Sequence, residues 1–188
     1  MADESHLSIY RRGVLEWNCW RSQNPNVKPD LKGADLSKPS LPDAWEIDLS
    51  NADLRGANLA GTLHMSGIFA SALLTEANLD SVNFLFADLS GADLRGANLN
   101  SAGFTSANLT RADLSNIQLG GMANFVKATM AGAKLIGSQF TSCYFNEAVL
   151  EGADLSNANL SGSVFVSTNL QRTNFRGANL SKTRADSI

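Results

Sequence analysis

Large and small apolar residues recur along this chain at a period of five. From Leu49 onward a large centre, here called position i, falls at Leu54, Leu59, Phe69, Leu74, Leu79 and Phe84, with His64 the polar exception. A small residue, usually Ala, stands two positions before each centre, and Asp or Asn commonly lies between them. The series runs to Leu119, slips by one residue near Gly120 and Gly121, and resumes from Phe125 to Leu180. An earlier block holds Leu31, Leu36 and Leu41, followed by an off-register stretch over 42–47. Five matches neither the 3.6 of a helix nor the 2.0 of a strand. It predicts a short extended piece and a turn, repeated, with i−2 and i inward and i−1, i+1 and i+2 facing water. Gly stands at i+2 in 11 repeats, Gly121 included, out of 15 glycines in all, as a corner asking for positive φ requires.

The phenylalanines set the number of repeats per coil. Phe84, Phe104, Phe125, Phe145 and Phe165 are spaced 20, 21, 20 and 20 apart, the longer step spanning the one-residue slip. Four repeats therefore complete a coil, and these rings form one interior column that begins at His64. Coils pairing as parallel strands at about 4.8 Å give a rod roughly 35 Å tall for about seven coils. The ends of such a stack need covering. His6 to Trp20 reads as one amphipathic helix with Ser5 as N-cap, Leu7, Tyr10, Val14 and Trp17 along one stripe, and Trp20 beside them. The expected organisation is a helical cap and linker over 1–28, a solenoid over 29–182 and a short tail over 183–188.

The Ala-(Asp/Asn)-Leu-X-X run, from Pro29 to about Lys182, resembles the pentapeptide-repeat family. That resemblance implies an all-β, right-handed quadrilateral parallel β-helix. The lead-in from His6 to Arg21, followed by Asn24-Pro25-Asn26, resembles the head of some bacterial and cyanobacterial members. The family also implies two readings of function. One is a non-catalytic scaffold presenting a rigid surface to a protein partner. The alternative is a DNA-mimicking modulator of bacterial gyrase, which calls for a strongly acidic surface.

With the register known, the four outer faces can be told apart. One carries an amide ladder at i−1 (Asn58, Asn78, Asn98, Gln118, Gln139, Asn159, Asn179). A second carries Asp53, Asp93, Asp113 and Asp154 with Arg55, Arg95 and Arg176, expected to be a solvated charge face. The face above the Phe column differs: Leu63, Met65, Leu85, Val126, Tyr144, Val164 and Val166 fill seven of its twelve outward positions, and Phe86 sits at a neighbouring corner. Contiguous apolar surface commonly marks an interaction site. A protein partner, self-association by face or by end, and cover by the head or tail all remain open.

Charge and composition narrow the rest. A net charge of −3 supports neither a phosphate-binding surface nor a polybasic membrane anchor, so neither direct nucleic-acid binding nor membrane contact is expected. The N-terminus lacks the pattern of a signal peptide, no apolar run approaches a membrane span, and Cys19 and Cys143 are unpatterned; a cytoplasmic setting is expected. His6 and His64, the only histidines, belong to no nucleophile or metal constellation, so no enzyme activity, cofactor or metal is expected.

Overall fold

A five-residue unit closes into a coil because its backbone hydrogen bonds alternate between a corner and a neighbouring coil. The computed structural model describes residues 1–37 and 45–186. The expected centre Leu41, part of the off-register stretch over 42–47 and the last two tail residues lie outside them.

Parallel bridges join Asp48 to Ile68, Asp53 to Leu73, Asn58 to Asn78 and Leu63 to Asn83, so each coil meets the next on four sides. On each side the centre's N–H donates forward, as from Leu49 to the Ile68 carbonyl at 2.7 Å, and the return bond runs from Ile68 N–H to the Ile47 carbonyl at 2.8 Å. Between sides the chain turns through a bond such as that from Ala52 N–H to the Leu49 carbonyl, 3.2 Å. The i−1 residue locks this corner. Its side-chain oxygen accepts from the i+1 N–H, as Asp48 does from Ser50 (2.9 Å), Asn83 from Leu85 (2.9 Å) and Asn124 from Val126 (2.9 Å). This Asx geometry is why Asp and Asn recur there.

The corner residue at i+2 does take positive φ, but glycine is not the rule. Gly33 and nine more glycines hold φ of 64–74°, while eighteen other described residues, Ser and Asn common among them, sit at 55–60°. Gly121 is an exception to the expected pattern, with no positive φ. There the inserted residue changes the corner. Bridges shift to a 21-residue step, as between Gly103 and Asn124, and among the described residues none joins Asn98 to Gln118. Asn100 Oδ1 instead accepts from the N–H groups of Gly120 (2.7 Å) and Gly121 (3.2 Å). Leu119, expected inside, is half-buried at this breach.

The interior is filled by the small i−2 and large i side chains, nearly all below 2% exposure from Ile47 to Leu160. Toward the C-terminal end Leu170 and Phe175 are partly exposed and Leu180 is 41% exposed. At the other end the expected single helix is two: α1, Glu4–Tyr10, and α2, Val14–Gln23. Gly13, at φ 118°, breaks them, and Asp3 rather than Ser5 caps α1, accepting from the N–H groups of Ser5 and His6. The bend lets the pair lie across the first coil. Trp17, fully buried, donates its indole N–H to the Asp48 carbonyl at 2.7 Å, and Asn18 bonds Glu46 and Asp48. Leu7 and Tyr10 are buried beside it, whereas Val14 and Trp20 are only partly covered.

Candidate interaction face

The ring column places the side of interest. His64 and Phe84 stack at 5.9 Å between centroids, Phe84 and Phe104 at 5.4 Å, and Phe104, Phe125, Phe145 and Phe165 at 5.0 Å per step. Phe69 and Phe140, from the two adjoining sides, meet this column edge-on. Gly67 makes the first of these crossings possible. A Cβ there would lie 3.0 Å from the Phe69 ring and 3.1 Å from the His64 carbonyl. His64 is wholly buried and neither ring nitrogen has a hydrogen-bond partner; burial pushes its pKa from 6.5 down to about 4.

Outside the column, i−1 is occupied by Leu63, Asn83, Gly103, Asn124, Tyr144 and Val164, and i+1 by Met65, Leu85, Thr105, Val126, Asn146 and Val166. None is charged. Leu63 is 45% exposed and Tyr144 42%; Met65, Leu85, Val126, Val164 and Val166 are half-buried. The structure thus brings the predicted residues onto one side, with Phe86 at its corner, 61% exposed and at φ 60°. A bulky residue in the left-handed region and in water is costly twice over, and the fold gains nothing from it.

Four of the six i−1 residues here, Leu63, Gly103, Tyr144 and Val164, cannot supply the Asx bond that stabilises corners elsewhere. Each forgoes a hydrogen bond of roughly 1 kcal/mol. Gly103 is also free of the usual reasons for glycine. It has no positive φ, and a Cβ would make only ordinary contacts, 3.9 Å from the Asn83 side chain and the Val82 carbonyl. Its missing side chain deepens a depression of about 350 Å³ lined by Ser101, Met122, Asn124 and Tyr144.

The other sides obey the corner rule more closely. Amides bond from coil to coil through Asn58, Asn78 and Asn98 (2.9 and 3.0 Å) and again through Gln139, Asn159 and Asn179 (3.0 and 3.1 Å). Gln118, between the two runs, lies exposed at the breach. On the charged side Arg95 grips Asp93 with two bonds, 2.8 and 2.6 Å, and Arg55 holds Asp53 in the same way. These bonds hold both carboxyls below their usual pKa. A cleft of about 730 Å³ between α1 and the first coils brings Glu4 and Glu76 near Lys32 and Arg55, a mixture that selects no charge class.

Sequence reasoning passed over several residues. Ile68 (40% exposed) and Leu73 (38%) follow Leu63 at successive i−1 positions, and their departure from Asp or Asn was the available signal. Trp45 and Met122, 53% and 52% exposed, had none. Arg21 is buried under the head, donating to the carbonyls of Val27 (2.8 Å) and Ser50 (3.1 Å) and lying 3.4 Å from Asp48. Among the described residues no group of His, Cys, Asp and Glu could hold a metal ion, and no helix is long and apolar enough to cross a membrane.

Sides bridged from coil to coil, left-handed corners and a stacked interior define a β-solenoid built from repeats. Eight copies of the pentapeptide-repeat model match within residues 30–62, 68–96, 77–116, 123–162 and 143–181, and the chain belongs to the pentapeptide repeat family. Among solved structures it is similar to trypsin-treated QnrB1, a plasmid-mediated fluoroquinolone resistance protein: 22% identity over 78% of this chain and 82% of that one, TM-score 0.53. It is also similar to HetL, involved in heterocyst differentiation regulation in the cyanobacterium Nostoc sp. strain PCC 7120, with 24% identity, coverage of 76% and 86%, and TM-score 0.35. Rfr23 from the cyanobacterium Cyanothece 51142 matches at 29% identity over 61% and 64%, with TM-score 0.23. No curated protein sequence matches the chain.

Proposed function

We propose that this chain is a non-catalytic interaction scaffold, a right-handed coil of about seven turns, whose working surface is the side above the Phe column. One observation carries the reading. Twelve outward positions over six levels hold no charge, and four of the six i−1 residues there give up the corner hydrogen bond. A surface kept apolar against the fold's own preference is kept for contact. Two free cysteines fit a reducing, cytoplasmic setting.

The double variant Leu85→Asp with Val164→Asp tests this. It is expected to keep the circular dichroism and thermal transition of the parent while losing binding of whatever the parent retains, including its own copies. An unchanged set of bound proteins and an unchanged oligomeric state would overturn the reading. The gyrase alternative has less support. Carboxylates that would stand in for DNA phosphates are held by their own chain's arginines at Asp53 and Asp93. A supercoiling assay is expected to show no effect at micromolar excess; inhibition of gyrase, or its protection from a quinolone, would favour that alternative instead.

A further inference from the structure

The side above the Phe column is also self-complementary over its central levels. Its middle level is that of Asn124 and Val126, with Gly103 one coil to one side and Tyr144 one coil to the other. A two-fold axis lying in the face at that level, parallel to the strands and perpendicular to the rod, turns the rod end for end and sets each column against itself. Gly103 then faces the partner's Tyr144, and Tyr144 faces the partner's Gly103. The only outward position of the i−1 column without a side chain meets the column's one aromatic, which is 42% exposed.

The rest of the pattern agrees with this axis. In the i+1 column Val126 meets its own copy, Leu85 meets the partner's Val166, and Thr105 meets the partner's Asn146. Apolar residues face apolar and polar face polar. Asn124 on the axis meets itself, an amide pair able to donate and accept in both directions. Asn83 against the partner's Val164 is a mixed pair, and at the two ends Leu63 meets the partner's Arg184 and Met65 the partner's Asp186, so the match is confined to the five central levels. At the corner Lys127 is at the axis level and faces its own copy across the solvated rim, where Glu147 of its own chain lies 3.5 Å away. Two of the other sides would place carboxylates against carboxylates, since Asp48 and Asp88 or Asp93 and Asp113 repeat along them.

We propose that two copies of this protein pair through this side as an antiparallel, two-fold dimer in which each Tyr144 seats in the other chain's Gly103 notch. The inference rests on the reading of the face given above and commits it to a second copy. An isologous contact of this kind appears twice per dimer. Five matched levels at about 4.8 Å give a flat patch about 24 Å long and roughly 12 Å wide, below the size of a standard specific interface. The contact is therefore weak and transient.

Sedimentation of the full chain over a concentration series, with exchange of knob and notch, tests it. Gly103→Tyr and Tyr144→Gly each are expected to weaken dimerisation at least tenfold. The double exchange restores it, because knob and notch have only traded places about the axis. Val126→Glu, which puts two carboxylates on the axis, abolishes the dimer without touching either position. Circular dichroism of each variant confirms the fold. A parent that stays monomeric at hundreds of micromolar overturns the proposal, as does a dimer that neither single exchange weakens or a double exchange that stays monomeric. A monomeric parent overturns the dimer alone; loss of bound proteins from Leu85→Asp with Val164→Asp would still support the face as a docking surface.

Discussion

His64 is expected to make this protein acid-sensitive well above the range in which its carboxylates protonate. The imidazole sits where the column elsewhere has phenylalanine, wholly buried, stacked on Phe84 and edge-on to Phe69, with both nitrogens unpartnered. Burial lowers its pKa from 6.5 to about 4 in the folded chain. The folded state therefore resists a proton that the unfolded chain accepts below pH 6.5, so this stability is fully present above 6.5 and is lost as pH falls toward 4. The whole interval is worth about 3.4 kcal/mol, of which about 2 kcal/mol is gone by pH 5. The lowered carboxyls of Asp53, Asp93 and Asp154 act below their usual 3.8 and leave this window clear. His64→Phe removes the titration and two unsatisfied polar atoms, and extends the ring stack by one level. It is expected to be more stable at pH 7.5 by about 1–3 kcal/mol, the cost of leaving such groups unpaired. Urea unfolding of both proteins at pH 7.5, 6 and 5 reads the difference, which should widen by about 2 kcal/mol toward pH 5. A gap that stays constant across that range, or a His64 imidazole resonance titrating near 6.5, refutes the reasoning.

Trp17→Ala removes the buried ring that closes the first coil, together with its bond to Asp48. It is expected to cost about 3–5 kcal/mol and to release amide protection first in residues 45–60, read by hydrogen exchange. Uniform loss of protection along the rod would count against a nearest-neighbour stack. Phe86→Gly relieves a bulky side chain at φ 60° and is expected to raise stability by about 0.5–1 kcal/mol in thermal unfolding, where a packed phenylalanine would lose several times that.

The interior was legible because it is over-determined. Every fifth residue must be large, the one two before it small, and a single slip such as that at Gly120 is visible against so strict a period. The stacking of Phe84 through Phe165 follows from spacing alone. The head was less legible, since one amphipathic stripe through Leu7, Tyr10, Val14 and Trp17 continues across Gly13, where the chain in fact bends. Arg21 could not be foreseen as a buried anchor: nothing local distinguishes it from the exposed Arg11 and Arg12, and its partners at Val27, Asp48 and Ser50 meet it only after that bend. The corners were half-legible. Glycine was the expected residue at i+2, but a corner held by coil-to-coil bonding accepts Ser106, Asn116 or Lys127 at the same φ.

The outer positions follow a different logic. Asp or Asn at i−1 is a fold requirement, worth a corner hydrogen bond, so an aspartate ladder on this scaffold says little about function. The informative residues are those that refuse the requirement. Leu63, Tyr144 and Val164 give up the bond and expose apolar surface. Phe86 occupies a conformation that glycine fills at lower cost, and Gly103 leaves a gap where a Cβ would meet only ordinary contacts. Each departure is mildly destabilising by itself, and they fall together along the stretch from Leu63 to Val166, whose twelve outward positions carry no charge. Folding does not account for four of six on this side, when the neighbouring sides depart less often, at Ile68, Thr129 and Val149 or at Leu73 and Lys134, and the amide side keeps the corner rule at Asn78, Asn98 and Asn159. Contact with another surface does, and the placement of notch and knob at equal distances from Asn124 points to a surface of the same shape.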